Sequence, residues 1–300
     1  MDRDVPILLI VFRRPELTAQ VLAALAAQRP ARLFVAVDGA RPELKTEAEL
    51  VQSTIQVVEE GVTWPCRLEW RVQPSNLGCR LGVVAALDWF FEQVSEGIVL
   101  EDDILPDPSF FPYCAELLQR YREDPDVGAI AGATAGFSSR PPSASYRFSR
   151  FLPVWGWASW RRAWQRNDPH LQEWPRLRKP PWLEDLGGAY FAHKMRWFLD
   201  QVAEGSCDTW DYGWFLSCWR DGMTGCVPAV NLVQNLGFGD AGATHCCQGR
   251  SPLPPARTLA APLHHPLVRQ LDARADARLF DRLYAPSLAL RAWRRLSPWR

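Results

Sequence analysis

Gly97-Ile98-Val99-Leu100-Glu101-Asp102-Asp103 decides the reading of this chain. A short apolar run bounded by a Gly and a polar break reads as a buried strand. Its tip carries three consecutive carboxylates, which repel one another unless something positive sits among them. A hard divalent cation that keeps several waters and also holds substrate phosphates meets that demand. A solvated acidic turn is the plainer alternative. The surrounding alternation of strand and helix favours a metal and phosphate site, because open α/β sheets take their ligands at the carboxyl ends of their strands.

Towards the amino end, residues 6–12 form a first strand, continuously apolar as parallel strands covered on both faces are. Pro15 opens a helix with Leu17, Val21, Leu22 and Leu25 at helical spacing. A second strand over 33–37 ends at Asp38-Gly39, a helix spans 43–60, and 67–72 alternates as a third strand. Residues 82–94 read as a helix with Val83, Leu87, Phe90 and Phe91 on one face. Beyond the acidic strand, Pro108 starts a helix reaching Tyr121, and 127–131 is a further strand. This order calls for a parallel sheet with right-handed crossovers.

After Gly132 the pattern changes. Residues 134–149 read as a loop, and 151–160 are dense in aromatics without a clear period. Helices are expected over 190–202 and from Thr209 onward, the latter with Phe215, Cys218 and Trp219 inward. Residues 228–239 read as a strand and a Gly-rich turn closing on Asp240 and His245. Leu267, Leu271, Leu279 and Leu283 trace a last helix whose opposite face alternates Arg and Asp. The expected organisation is a main domain over 1–248, a Pro-rich connector over 249–266 and a helical tail over 267–300.

A length of 300 residues allows one large α/β domain or two modest ones. The apolar share of 47% and charged share of 23% are those of a globular protein. Formal net charge is zero, so nothing argues for nucleic acid as a bulk electrostatic partner. Fifteen Trp is unusual. Trp either fills a core or stacks on sugar rings, and the 151–160 cluster admits both readings. The eight Cys show no Cys-x-x-Cys pair, which indicates neither a zinc module nor a disulfide framework. Reduced, mostly buried thiols in a cytoplasmic protein are the expectation. The amino-terminal apolar run, stopped by Arg13-Arg14-Pro15, is too short for a signal peptide core or a membrane span. Residues 288–296 are basic and aromatic. Such a segment either lies on an anionic membrane surface, here the inner face, or is a solvated tail.

Asp38 and Asp103 end strands on the same edge of a parallel sheet. A carboxylate there accepts from a ribose hydroxyl or a base N–H, or it caps a helix. Asn76-Leu77-Gly78-Cys79-Arg80-Leu81-Gly82 joins a strand to a helix. Arg80 at that helix start either meets a diphosphate together with backbone N–H groups or is solvated in a plain turn. The glycines do not form Gly-x-Gly-x-x-Gly and no Walker loop occurs, which argues against a dehydrogenase and a P-loop kinase.

Residues 5–16, Val37-Asp38-Gly39, and Leu100-Glu101-Asp102-Asp103 followed by Pro108-Ser109-Phe110-Phe111 resemble GT-A glycosyltransferases. Within them the resemblance is to the N-acetylglucosaminyltransferase I family and its bacterial homologues, the nucleotide-diphospho-sugar transferases. Trp210-Asp211 with Trp214, Asn235-Leu236-Gly237-Phe238-Gly239 and His245 extend it over roughly residues 5–246. The resemblance implies a GT-A α/β fold, with a mostly parallel central sheet flanked by helices. It implies that Asp103 holds a divalent metal, Mn2+ or Mg2+, bridging the donor diphosphate. Asp102 and Glu101 would touch the ribose and the transferred sugar, and Arg14 and Asp38 the nucleotide. Asp211 would be the catalytic base, although Tyr212-Gly213 stands where the eukaryotic relatives have one acid before the next Trp. The implied partners are a nucleotide-diphosphate sugar, in the first place a UDP-sugar, and a glycan, polysaccharide or glycolipid acceptor.

The chemistry is coherent without the resemblance. An inverting transferase needs one base for the acceptor hydroxyl and one cation for the leaving diphosphate. Asp211 and Asp103 would supply them. Asp211 is otherwise a helix cap or the partner of an Arg, and His245 is a second metal ligand or a hydrogen-bonded loop residue. Two other functions are compatible with the fold. A catalytically silent nucleotide-sugar or glycan-binding module would not need the full set of acids. A sugar nucleotidyltransferase would want a Gly-rich amino-terminal loop with a Lys, where this chain has Arg13-Arg14-Pro15.

Overall fold

Ile7–Val11 (β1) is the strand from which the sheet grows, with Leu8 and Leu9 wholly buried. The computed structural model describes residues 5–136, 144–239 and 251–284. In chain order β1 is followed by Pro15–Gln28 (α1), Arg32–Val37 (β2), Lys45–Gly61 (α2), Arg67–Val72 (β3), Gly78–Gln93 (α3), Glu96–Glu101 (β4), Ile104–Pro106 (β5) and Phe110–Arg120 (α4). Val127–Ala131 (β6), Tyr146–Ser149 (β7), Trp157–Trp160 (β8), Arg161–Trp164 (α5), Trp174–Leu177 (α6) and Trp182–Ala203 (α7) come next. Asp211–Arg220 (α8), Thr224–Pro228 (β9), Val233–Asn235 (β10) and Ala273–Leu283 (α9) complete the described elements.

The main sheet runs β3-β2-β1-β4-β8-β6-β9-β7. The first four strands are mutually parallel, and β8 lies antiparallel between β4 and β6. Only β8 and the edge strand β7 oppose the rest. Helices flank it, so the mostly parallel α/β sheet that the GT-A reading requires is present. Because β1, β2 and β4 end side by side, the residues after them converge on one edge: Arg14, Asp38 and the three acids.

The second half departs from expectation in instructive ways. Residues 146–149, read as loop, pair with β9. The aromatic stretch supplies β8, inserted beside the acidic strand. A strand buried on both faces has no alternation to read. Trp157, Trp164, Trp210 and Trp214 pack together, ring centroids 5.4 to 6.4 Å apart. Trp157 and Trp160 are buried, so this cluster is core rather than a wall open to an acceptor. Half-buried Trp155, packed on Phe238 at 5.6 Å, is the exception. The helix expected from 190 begins earlier, at Trp182, and is broken at Gly188, whose φ is 80°.

Residues 251–284 lie against the main sheet. Ser145 N–H donates to the His264 carbonyl (2.7 Å) and Arg257 N–H to that of Asn231 (2.7 Å). The last helix begins at Ala273, not near Leu267, because the Asp272 side chain accepts from Ala275 N–H at 3.0 Å and caps it there. Leu267 is fully exposed and Leu271 instead bridges to Phe148. Phe280 packs on Phe191, and the buried Asp276 pairs with the buried Arg147. No helix among the described residues is long and apolar enough to cross a membrane. The six described cysteines are all free.

Candidate active site

A cleft of about 320 Å³ opens at the carboxyl edge of β1, β2, β3 and β4, roofed by the start of α3. Its wall includes Arg14, Asp38, Glu101 and Asp102. The positive group demanded by the acidic tip is Arg14. Its Nε donates to Asp102 Oδ2 at 3.2 Å and its Nη1 to Asp103 Oδ2 at 3.0 Å, while Nη2 also meets Asp102 Oδ1. Pro15 fixes the first turn of α1 directly behind Arg14, so the guanidinium is presented from a rigid helix start.

The charges in this cluster perturb one another. Burial lowers the Arg14 pKa, but Asp102 and Asp103 outweigh that and leave it raised. Burial raises Asp102 above the usual carboxylate range against the pull of Arg14. Burial raises Glu101 further, helped by the charges of Asp103, Asp102 and, more weakly, Asp211. The Asp211 charge thus reaches Glu101, although Asp211 does not line the cleft. Asp211 opens α8, where its Oδ1 accepts from Thr209 Oγ1 (2.6 Å) and from Tyr212 N–H (3.0 Å). Trp210, stacked on Trp157 at 5.7 Å, anchors that helix start to β8 beside β4.

Asp103 is covered by the segment after β10. Its carbonyl accepts from Leu236 N–H at 2.7 Å. A Cβ on Gly237 would stand 2.3 Å from Asp103 Oδ2, so only glycine lets this backbone lie against the carboxylate. One such carboxylate, closely cradled and of hard-oxygen chemistry, fits a cation that takes its remaining ligands from phosphates and water. Among the described residues no group of three His, Cys, Asp or Glu converges on a metal position. His245 and the 288–296 tail lie outside the described residues.

Two expectations meet a different arrangement. Asp38 Oδ1 accepts from the N–H groups of Gly39 and Leu77 (both 2.9 Å), and Oδ2 from Asn76 Nδ2 (3.0 Å) and Gly78 N–H (3.1 Å). It lines the cleft, but its oxygens hold the β3–α3 turn. Burial nevertheless raises its pKa against those N–H donors. The amides at the start of α3, expected to meet a diphosphate with Arg80, are taken by Asp208. Cys79 N–H donates to its Oδ2 at 2.7 Å and Arg80 N–H to its Oδ1 at 3.1 Å. Gly78, at φ 81°, makes room: a Cβ there would lie 2.6 Å from Asp208 Oδ2. The Arg80 side chain turns to the Val202 carbonyl at the end of α7, at 3.3 Å.

Several site residues carry no signal in the sequence. Asp208 lies 129 positions from the amide it caps. Arg13 and Arg41 line the cleft and share the buried Glu47. Arg71 and Gln73 line its far end, on what reads as the polar face of an edge strand.

No protein-family model and no curated protein matches the chain. Among solved structures, a cytidylyltransferase from Leptospira borgpetersenii serovar Hardjo-bovis is 11% identical. It covers 61% of this chain and 71% of its own at a TM-score of 0.34. UDP-glucose pyrophosphorylase complexed with UDP-glucose is 8% identical over 78% and 94%, TM-score 0.38. Mouse xyloside xylosyltransferase 1 is 11% identical over 75% and 97%, TM-score 0.33. Superpositions this loose carry no argument about activity, which rests on the residues of the cleft.

Proposed function

We propose that this chain transfers a sugar, with inversion, from a nucleotide-diphosphate donor to a hydroxyl acceptor, using a divalent metal. The observation that carries the reading is the acidic tip of β4, set at a cleft along the carboxyl edge of the sheet and bound there by Arg14. Asp211, from a helix 108 positions after Asp103, is assigned the base by its residue type and by its charge acting on Glu101. Asp103 would hold the metal, Mn2+ or Mg2+, which supplies Lewis-acid stabilisation to the departing diphosphate. Arg14 keeps Asp102 and Asp103 in place and adds positive charge beside them. Asp211 takes the proton of the acceptor hydroxyl as that oxygen bonds to the anomeric carbon. The glycosidic bond to the diphosphate breaks on the opposite face, and the nucleoside diphosphate leaves with the bonding pair.

A sugar nucleotidyltransferase would act on the same kind of cleft. It is disfavoured by the β1–α1 turn, Phe12-Arg13-Arg14, which has neither Gly nor Lys to wrap a triphosphate. The test is a panel of nucleotide sugars with manganese, read by melting temperature and by release of nucleoside diphosphate. Bound donor stabilises the fold by mass action, and Asp103→Ala should abolish the manganese-dependent part of the shift. Pyrophosphate-dependent formation of a nucleoside triphosphate would establish the nucleotidyltransferase instead. Donor binding without hydrolysis or transfer to any hydroxyl would leave a binding module.

A further inference from the structure

Arg71 of β3 is in register with Ala36 of β2, which is in register with Ile10 of β1 and so with Glu101 of β4. Residues in register on neighbouring strands share a face of the sheet, and all four line the cleft. Charge is confined to the two ends of this row. Three strand spacings, about 14 Å, separate the guanidinium-bearing position from the carboxylate-bearing one. Between them the floor is Ala36 and Ile10, and the facing α3 contributes Gly82, Val83 and Ala86.

Arg71 differs from the other cleft arginines. Arg14 is bound to Asp102 and Asp103, and Arg13 and Arg41 to Glu47. The Arg71 guanidinium makes no hydrogen bond or ion pair with any described residue, and its Nε is buried without a partner. A buried donor left unpaired is costly, so an incoming acceptor gains by meeting it. Gln73, on the same face two positions on, also lines this end and offers one acceptor and two donors.

We propose that Arg71 and Gln73 receive the base of the nucleotide donor and select a uracil-type edge, in which N–H is flanked by carbonyl oxygens. This rests on the nucleotide-sugar reading above. The reacting end of the donor belongs at the acidic end of the row, so the base occupies the opposite end. The slot between Ala36 and Val83 is apolar, which suits a planar ring and not a diphosphate that would lose its hydration there. The Gln73 amide pairs with N3–H and the neighbouring O2 carbonyl, and Arg71, a donor only, takes the O4 carbonyl. Cytosine puts an amino group opposite Arg71 and leaves two adjacent acceptors, N3 and O2, opposite Gln73. Arg71 then faces a donor, and neither orientation of the Gln73 amide matches both positions.

The test is calorimetric titration of the full chain with UDP, CDP and inorganic pyrophosphate, each with manganese, for wild type, Arg71→Ala and Gln73→Ala. Wild type should prefer UDP to CDP. Arg71→Ala should weaken UDP binding about 10- to 100-fold, the range for a bond to a charged group. It should leave pyrophosphate binding within about twofold and the melting temperature unchanged, since no pairing in the free protein is lost. Gln73→Ala should narrow the preference for UDP over CDP. Equal losses for UDP and pyrophosphate would overturn the proposal by placing Arg71 on a phosphate, and unchanged UDP binding would remove Arg71 from the site. Wild type binding none of the three would overturn the nucleotide reading itself.

Discussion

Arg14 donates to both carboxylate oxygens of Asp102, a residue 88 positions later in the chain. The pair ties the start of α1 to the tip of β4, and Arg14 reaches Asp103 as well. Adjacent carboxylates at a strand tip thus fold against a guanidinium before any ligand arrives. The cation that the acids call for is partly built into the chain.

Asp211→Asn tests the base. The amide keeps an oxygen to accept from Thr209 and from the Tyr212 N–H, so α8 should start unchanged. Sugar transfer should fall by about 10²- to 10⁴-fold, the usual worth of a general base. Donor affinity should stay within about twofold, because the proton comes from the acceptor. Loss of donor binding with unchanged turnover would move Asp211 to the nucleotide side.

Gly237→Ala tests the cradle of Asp103. The added methyl would stand 2.3 Å from Asp103 Oδ2, so the carboxylate or the backbone must move. Displacing a group that orients a metal ligand costs roughly 10- to 100-fold in metal affinity. The manganese-dependent thermal shift with donor should shrink accordingly, measured from a metal-free melting temperature that the clash itself lowers. A shift as large as that of wild type would separate this glycine from the metal position.

Glu47 sets an acid limit on stability. A side-chain hydrogen bond from Arg41, with the nearby Arg41 and Arg13 charges, lowers its pKa from 4.5 to about 2. A depressed carboxylate contributes stability that is present above its unfolded pKa and lost as pH falls through the folded one. That contribution is on the order of 2 kcal/mol, discounted because Arg41 is partly exposed. The unfolding free-energy difference between wild type and Glu47→Gln should be constant from pH 7 to about 5.5 and narrow between pH 4.5 and 2. A difference independent of pH over that range would mean packing, not charge, is what Glu47 provides.

Asp276→Ala tests the docking of α9. Arg147 and Asp276 are both buried, and Asp276 Oδ1 also accepts from Ser149 Oγ at 2.6 Å. Removing the acid strands a buried guanidinium, at a cost of about 3–5 kcal/mol in urea unfolding. Replacing both partners, as in Arg147→Met with Asp276→Leu, should recover most of that loss. A double variant as unstable as the single one would show that Asp276 acts through Ser149 and the Arg150 N–H instead.

Much of the first half was legible in the chain. β3 and β6 have the ends expected of them, and β1, β2 and α1 agree to within a residue or so. Only α3 starts a full turn before its expected position, at Gly78 rather than Gly82. Local apolar periodicity and Gly or Pro punctuation fix such elements because each depends on residues near it in sequence. The second half was harder for the same reason. β8 and β7 are strands by virtue of their partners β4, β6 and β9, and nothing local to residues 146–149 or 157–160 announces a pairing.

The division runs the same way through the cleft. The acidic tip of β4, Arg14 beside Pro15 and the Trp210-Asp211 pair stand out by residue type and position alone, because unusual local chemistry is written in neighbouring letters. What each of them touches depends on the fold. Asp38 holds the β3–α3 turn, Asp208 accepts from the α3 amides, and Gly237 lies against Asp103. These meetings join residues tens to more than a hundred positions apart. Chain connectivity carries no information about such distances, and close packing of the finished fold supplies it.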